Sequence, residues 1–441
     1  MNQSKNSYIM FLLGLFSQTH IHIVGSIAIS EFVMFIIAPF VFVANSSILK
    51  RERIAPTLFL LVLAMVGCVL SGIHNHTPIV TFLKGFASPY GFFAGVVVFY
   101  VVLRKFPSSF KWYLLGSAIS YVICTFVFQQ DFEYVEAYNR YGDISEGIMS
   151  GSIYWIGRLN GFVMWPIQGL YLQCPLTYSV LGTLVFGFWS ILTSTSGRSM
   201  ALMSILSATI IYIGGKSPRK MASVQKHFFL MLLVIAVVGI SFKNAYSYAA
   251  SAGLLGYDAQ MKYEVQTRQG RGALSLIRAG RGDVFAGAYV CSKNPFWGYG
   301  PWALDWNGLY AEYLRKYGDV VEYEKRVEYD ARMLSGSDKV RLLPAHSAIF
   351  GWWLWYGVLA LPIWFYILYL IYDVLRHRMS AIPEFFGYFA CGIPNMLWGL
   401  FFSPFGQRLP WAFFVAMLLL ARKVSHDQRN MQNLIMTRSA F

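Results

Sequence analysis

The hydrophobic positions of this chain come in long blocks rather than in alternating or one-sided patterns. Apolar runs cover residues 8–24, 28–48, 56–72, 78–103, 112–129, 160–180, 182–196, 198–214, 228–245, 344–374, 384–404 and 409–422, separated by polar connections. Roughly 20 apolar residues in helical form span the hydrocarbon core of a bilayer. A helix also satisfies its own backbone hydrogen bonds, which lipid cannot do. The pattern therefore predicts an all-α polytopic membrane protein with about twelve transmembrane helices. The stretch 160–214 holds three of these spans with very short connections. No small-residue cleavage site follows the first run, so that run is expected to be a span and not a leader.

Composition supports the same class. Charged residues make up 13% of the 441 positions and hydrophobic ones 56%, whereas a soluble domain carries roughly 25% charged residues. The basic clusters fix an orientation. Lys50-Arg51-Glu52-Arg53, Arg104-Lys105, Lys216 to Lys220, Arg376-His377-Arg378 and Arg422-Lys423 fall on one side when the spans alternate. That side is expected to be cytoplasmic. Both termini then lie inside, and the acidic loop 130–152 and the segment 246–343 lie outside. The chain divides into residues 1–245 with spans one to nine, a large outer loop at 246–343, and residues 344–441 with the last three spans and a cytoplasmic tail. The net charge of +15 is assigned to these inner loops, with anionic membrane lipid as their neighbour. No arginine-rich tract or nucleic-acid motif accompanies it, so nucleic acid is not expected as a partner.

The outer loop is long for a mere connection, and such loops usually carry function. It is rich in Tyr, Trp and Gly, and Tyr310, Tyr313 and Tyr317 recur at helical spacing. The run Gly308 to Arg332 predicts one or two short amphipathic helices. Trp297, Trp302 and Trp306 offer flat faces on which sugar rings pack; the alternatives are a small core of the loop itself or a belt at the membrane surface. Of the five cysteines, Cys68, Cys124, Cys174 and Cys391 fall in apolar runs, and Cys291 is expected in a water-exposed loop without a disulfide partner. No Cys/His spacing resembles a metal site, and neither a metal nor a cofactor is expected.

Candidate chemistry concentrates at the outer ends of spans. Arg198 opens a run and is surrounded by Thr193, Ser194, Thr195, Ser196 and Ser199. Hydroxyls and backbone N–H groups at a helix start favour an anion, and guanidinium adds a planar donor fork. The alternative is an interfacial Arg that snorkels to headgroups. Arg281 precedes Asn294-Pro295-Phe296-Trp297-Gly298-Tyr299-Gly300, whose glycines permit tight turns and close approach to a ligand. Arg271 and Arg278 lie nearby, and the choice among the three stays open. His346, in Pro344-Ala345-His346-Ser347, starts the span after the large loop, with Gly357 about three turns further on. An imidazole at a membrane boundary is able to accept a proton near neutral pH. Arg158 and Lys84 are two further cations in or beside apolar runs, where charge is costly and marks candidate sites. His20, His22, His74 and His76 read as plain interfacial or turn residues.

Three of these elements together resemble the O-antigen ligase / O-antigen polymerase superfamily of bacterial envelope enzymes. They are Arg198-x-x-x-Leu202, Arg281 with Pro295-x-x-Gly298-x-Gly300, and His346-Ser347 followed by Gly357, arranged around one large external loop between spans nine and ten. The likeness covers residues 150–375. It implies a metal-independent inverting glycosyltransferase in the bacterial inner membrane with its active site on the periplasmic face. The implied donor is a glycan on undecaprenyl diphosphate, and the acceptor is a sugar hydroxyl of a growing glycan (polymerase) or of lipid A-core (ligase). By resemblance His346 is the base and Arg198 and Arg281 hold the diphosphate; Arg158 joins the diphosphate set as a cation beside an apolar run, and Lys84, Arg278 and Trp302 are candidate contacts to donor or acceptor. Ala360 stands where the ligase pattern expects a second glycine, and polymerase is slightly favoured. The rival from another class is a transporter or flippase of lipid-linked sugars, which needs the same buried cations.

Overall fold

The computed structural model describes residues 2–22, 26–52, 54–126, 180–185, 197–214, 228–254, 260, 263, 284–317, 343, 347–379, 381–402 and 408–439. The described part is almost entirely helical. Five helical stretches are long and apolar enough to cross a membrane: Ala55–His74, Ile79–Lys105, Val358–His377, Pro383–Phe402 and Arg408–Gln428. The spans read at 160–196 fall outside the described residues except for a helical piece at 180–185. The acidic loop 130–152 and the basic loop Lys216 to Lys220 also lie outside them.

The first run is shorter than its hydropathy implied. Helix α1 is Asn2–Leu15, and the apolar residues beyond it do not continue the span. Instead β1, His20–His22, pairs antiparallel with β2, Ser26–Ala28, with Ile21 opposite Ile27. The polar residues Ser17, Gln18, Thr19, His20 and His22 interrupt the helical apolar surface, and alternation around Ile21 suits a strand. This hairpin is the departure from an all-α chain among the described residues. Helix α2, Ile29–Ala44, follows and breaks at Asn45 into α3, Ser46–Arg51.

Helices α4, Ala55–His74, and α5, Ile79–Lys105, form an antiparallel pair. α6 is Phe110–Phe126, α7 Gly197–Gly214 and α8 Phe228–Ser251. α8 continues past residue 245 into the segment read as loop. Within that segment residues 284–293 form α9 and Leu309–Tyr317 form α10. The run 344–374 is not one helix. Ala348–Tyr356 forms α11, the chain turns at Gly357, and α12, Leu361–His377, follows a short 3-10 turn. α13 is Phe386–Phe402, and α14, Arg408–Ser439, carries the predicted tail as a continuation of the last span.

α5 and α14 sit at the centre of the described bundle, packed on each other, and α2 and α4 pack on α5. Phe92, Phe99, Trp352, Trp364 and Phe413 are fully buried between these helices. α1 lies against α6 through Gly14 and Gly116, where a Cβ would collide with the carbonyls of Tyr113 and Phe11. Small residues let membrane helices approach until their backbones touch.

Four of the five basic clusters meet at one end of the bundle. Arg104 Nε is 2.6 Å and Lys423 Nζ 3.8 Å from Glu52 Oε1, and Tyr100 donates its hydroxyl to Glu52 Oε2 at 2.8 Å. Arg378 Nε is 2.6 Å and Arg422 Nε 3.6 Å from Asp373 Oδ2. These carboxylates are nearly buried, and burying them is tolerable because each is paired and hydrogen-bonded. The contacts give the common side of the basic loops a physical basis. A second pair, Arg408 to Glu31 at 2.6 Å, ties the starts of α14 and α2.

Candidate functional site

At the end of α4 away from Glu52, the segment Asn294 to Pro301 is locked onto the helix break at Gly357. The break leaves the last carbonyls of α11 without intrahelical partners. The Trp353 carbonyl keeps a local partner, Gly357 N at 2.8 Å, but the next two are supplied from elsewhere: the Leu354 carbonyl accepts from Tyr299 N at 2.7 Å and the Trp355 carbonyl from Ser71 Oγ at 2.8 Å. In the other direction Val358 N donates to the Phe296 carbonyl at 3.2 Å and Trp353 Nε1 to the Pro295 carbonyl at 2.7 Å.

Glycine makes this contact possible. Gly357 has φ +73°, and a Cβ there would collide with the carbonyl oxygen of Phe296. Gly298 has φ +68°, and its Cβ would lie 2.6 Å from Leu354 O and 2.8 Å from Gly357 N. Non-glycine residues rarely adopt such dihedrals. Thus the Pro295-x-x-Gly298-x-Gly300 stretch and the Gly357 that follows His346-Ser347 lie in backbone contact. Gly357 does not sit inside a continuous helix three turns below His346, because the helix ends there.

α4 and α5 complete the junction. Ser71 Oγ accepts from Gly300 N at 3.1 Å while donating to Trp355 O. Asn75 Nδ2 donates to the Gly298 carbonyl at 3.2 Å, as does Asn294 Nδ2 at 2.7 Å. Tyr356 donates its hydroxyl to the Gly85 carbonyl at 2.8 Å, and Pro301 packs on the Cα of Gly85. Ser71, Asn75 and Tyr356 carry no charge and no motif, so composition and spacing did not single them out. His74, read as an interfacial or turn residue, is the last residue of α4, and its ring stacks on Trp297 at 5.2 Å.

The fates of the sequence candidates differ. Lys84 is exposed, and it neighbours Gly85, on which Pro301 packs; Trp302 is the next residue. Lys84 and Trp302 therefore flank one contact between α5 and the loop. Trp302 is 43% exposed with φ +56°, and its ring stacks on Trp355 at 5.2 Å. Trp297 and Trp306 are exposed as well, so these three rings do not form a core of the loop. That core consists of Ala286, Tyr289, Tyr310 and Tyr313, with Val290, Cys291, Leu343 and Leu354 as a second cluster.

The predicted helix around Tyr310, Tyr313 and Tyr317 is present as α10, capped by Asp305, whose carboxylate accepts from Leu309 N at 2.8 Å and Tyr310 N at 3.0 Å. Cys291 is not water-exposed. It is buried on α9 with Sγ 3.5 Å from the Phe350 carbonyl, and burial pushes its thiol well above the ordinary range. Burial likewise pushes Tyr299 up to about 12.

Arg198 is the second residue of α7, at a helix start as its sequence context implied. α7 packs on α13, with Ser207 beside Cys391. Ser347 caps α11: its hydroxyl accepts from Phe350 N at 3.3 Å and donates to the Leu400 carbonyl of α13 at 2.9 Å. Arg158, Arg278, Arg281 and His346 lie outside the described residues. Among the described residues no group of three or more His, Cys, Asp and Glu side chains is placed to hold a metal ion. No family model matches the chain, and no curated protein matches it. What the fold and site define is a predominantly helical chain in which five described helices are long and apolar enough to cross a membrane, with a glycine-built junction at one end of them.

Proposed function

We propose that the protein is a glycan polymerase of the cell envelope, a metal-independent inverting glycosyltransferase that moves a glycan from undecaprenyl diphosphate to a sugar hydroxyl. The observation that carries this reading is the backbone interlock of Pro295 to Gly300 with Gly357. Two stretches on which the superfamily resemblance rests are far apart in sequence and touch in space. In the orientation set by the basic loops, α7 runs inward and α13 outward. Arg198 lies as far before Ser207 as Leu400 lies beyond Cys391. The start of α7 then stands at the level of the Ser347–Leu400 contact, and Ser347 follows His346 in sequence.

In this mechanism His346 removes the proton from the acceptor hydroxyl as that oxygen attacks the anomeric carbon. The bond to the diphosphate breaks on the opposite face, which inverts the configuration. Arg198, Arg281 and Arg158 stabilise the charge growing on the departing diphosphate, where fixed cations contribute most. Lys84, Arg278 and Trp302 contact the sugars. Transfer to lipid A-core instead of a growing chain needs the same chemistry, and a ligase differs only in its acceptor. One observation favours a transporter of lipid-linked sugars as the second reading: discontinuous membrane helices such as α11–α12, broken at Gly357, are common at transport sites.

The test is reconstitution of the full chain with a purified undecaprenyl-diphosphate-linked repeat unit. Long chains are the expected product, and lipid A-core added as acceptor scores ligation by its becoming capped with the glycan. His346→Ala should lose about 10²- to 10⁴-fold of the transfer rate, as loss of a general base does, with membrane insertion unchanged. Near-wild-type transfer by that variant removes the base. Movement of the donor across the bilayer without glycosidic bond formation supports the transporter.

A further inference from the structure

We propose that the seam between α12 and α14, at the end where the basic loops gather, binds the phosphodiester headgroup of an anionic membrane lipid. Three observations meet there. First, one carboxylate serves two guanidinium groups. Asp373 lies between Arg378, 2.6 Å away, and Arg422, 3.6 Å away. The trio keeps a net positive charge in a half-buried place. Arg378 also donates from Nη1 to the Arg422 carbonyl at 2.9 Å, so it is spent on holding the two helices together.

Second, Arg422 is aimed while sharing its one carboxylate with Arg378, which holds Asp373 more closely. Its Nη1 donates to the Tyr366 hydroxyl at 3.0 Å and its Nη2 to the Tyr369 hydroxyl at 3.4 Å. The guanidinium carbon is 5.3 Å from the centroid of the Tyr369 ring. Neutral hydroxyls and a ring face orient the Nη end of the fork, Asp373 faces only Nε and is shared with Arg378, and guanidinium has five N–H donors in all. Its side chain is 29% exposed, against 13% for Arg378. Such a fork matches phosphate oxygens better than an ammonium does.

Third, an apolar track leads to it. Phe365, Tyr369 and Tyr372 are exposed on α12 at spacings of four and three, so they form one stripe on the outside of a helix long and apolar enough to span a membrane. Phe365 is the deepest of the three and Tyr372 the nearest to the basic end. An acyl chain lying along this stripe brings its headgroup to Arg422, with Lys423 next in sequence. Basic pockets between membrane helices take anionic headgroups in this way. A free anion would have no use for the stripe, and this selects the lipid over soluble phosphate.

Native mass spectrometry of the full chain in detergent tests the site. The protein is offered phosphatidylglycerol, phosphatidylcholine or glycerol phosphate. Wild type should retain phosphatidylglycerol over phosphatidylcholine, and excess glycerol phosphate should not displace it. Arg422→Gln should weaken that retention roughly fivefold, the effect of one basic residue at an anionic surface. Lys50→Gln, at an exposed position of the same end, should not. Equal retention by Arg422→Gln overturns the site, as does equal loss in Lys50→Gln, which would mean diffuse charge. Displacement by glycerol phosphate overturns the lipid assignment. If Arg422→Gln aggregates, Tyr366→Phe with Tyr369→Leu keeps both ion pairs while freeing the fork. Unchanged retention in that double variant also overturns the proposal.

Discussion

Gly298 and Gly357 meet backbone to backbone: a Cβ on Gly298 would lie 2.8 Å from the amide nitrogen of Gly357, and a Cβ on Gly357 would lie 2.9 Å from the carbonyl carbon of Trp297. Both have positive φ. The large loop is thereby held against the interrupted helix by main chain, with no side chain between them.

Alanine at either glycine should therefore be costly. The left-handed backbone alone penalises a Cβ by roughly 1–2 kcal/mol, and here the Cβ also meets backbone that has nowhere to move. Gly308 supplies the control, since it has φ +63° but nothing within 4 Å of an added Cβ. Gly298→Ala and Gly357→Ala are expected to lower the Tm in detergent clearly more than Gly308→Ala. Equal losses in all three would show that the dihedral, and not the contact, sets the cost.

Ser71→Ala should loosen the same junction from the α4 side. One hydroxyl serves both the Trp355 carbonyl and the Gly300 amide. Its removal leaves both unsatisfied, at about 1–3 kcal/mol for a buried group. Limited proteolysis of the loop provides the readout. Faster cleavage between residues 294 and 306 is expected in the variant, and an unchanged rate argues against Ser71 as the tie.

Arg198→Lys and Arg281→Lys should be poor substitutes in the transfer assay. A point charge does not reproduce the two-pronged grip of guanidinium on phosphate oxygens. Full activity of both lysine variants would leave simple attraction sufficient and remove the clamp from the mechanism.

Thiol labelling addresses the orientation. A membrane-impermeant reagent on intact spheroplasts should label a cysteine introduced at Asn307 and not one at Lys105, both of which are exposed positions. The native Cys291 should stay unlabelled, because it is buried and its thiolate is disfavoured. Label at Lys105 alone would invert the protein and put the proposed site on the wrong face.

Hydropathy and charge by themselves determined the class of this protein. Long apolar runs admit few alternatives to helices in lipid, and the alternation of spans put the basic stretches on one side; the joined clusters at Glu52 and Asp373 gather four of those stretches at one end. The tyrosine spacing likewise sufficed for α10, because a helical face repeats locally. Where helices stop was decided by tertiary structure. The apolar run 344–374 gives no sign that Gly357 ends a helix, since a glycine within such a run is common in membrane spans; it ends there because Phe296 and Tyr299 arrive to take up the freed backbone groups. The first run ends at Leu15 for a related reason, as residues 20–28 pair with each other instead of extending the helix. Ser71, Asn75 and Tyr356 were illegible for the same cause. Uncharged and without a motif, they gain their importance from partners more than two hundred residues away in the chain, and such pairings exist only once the helices have packed.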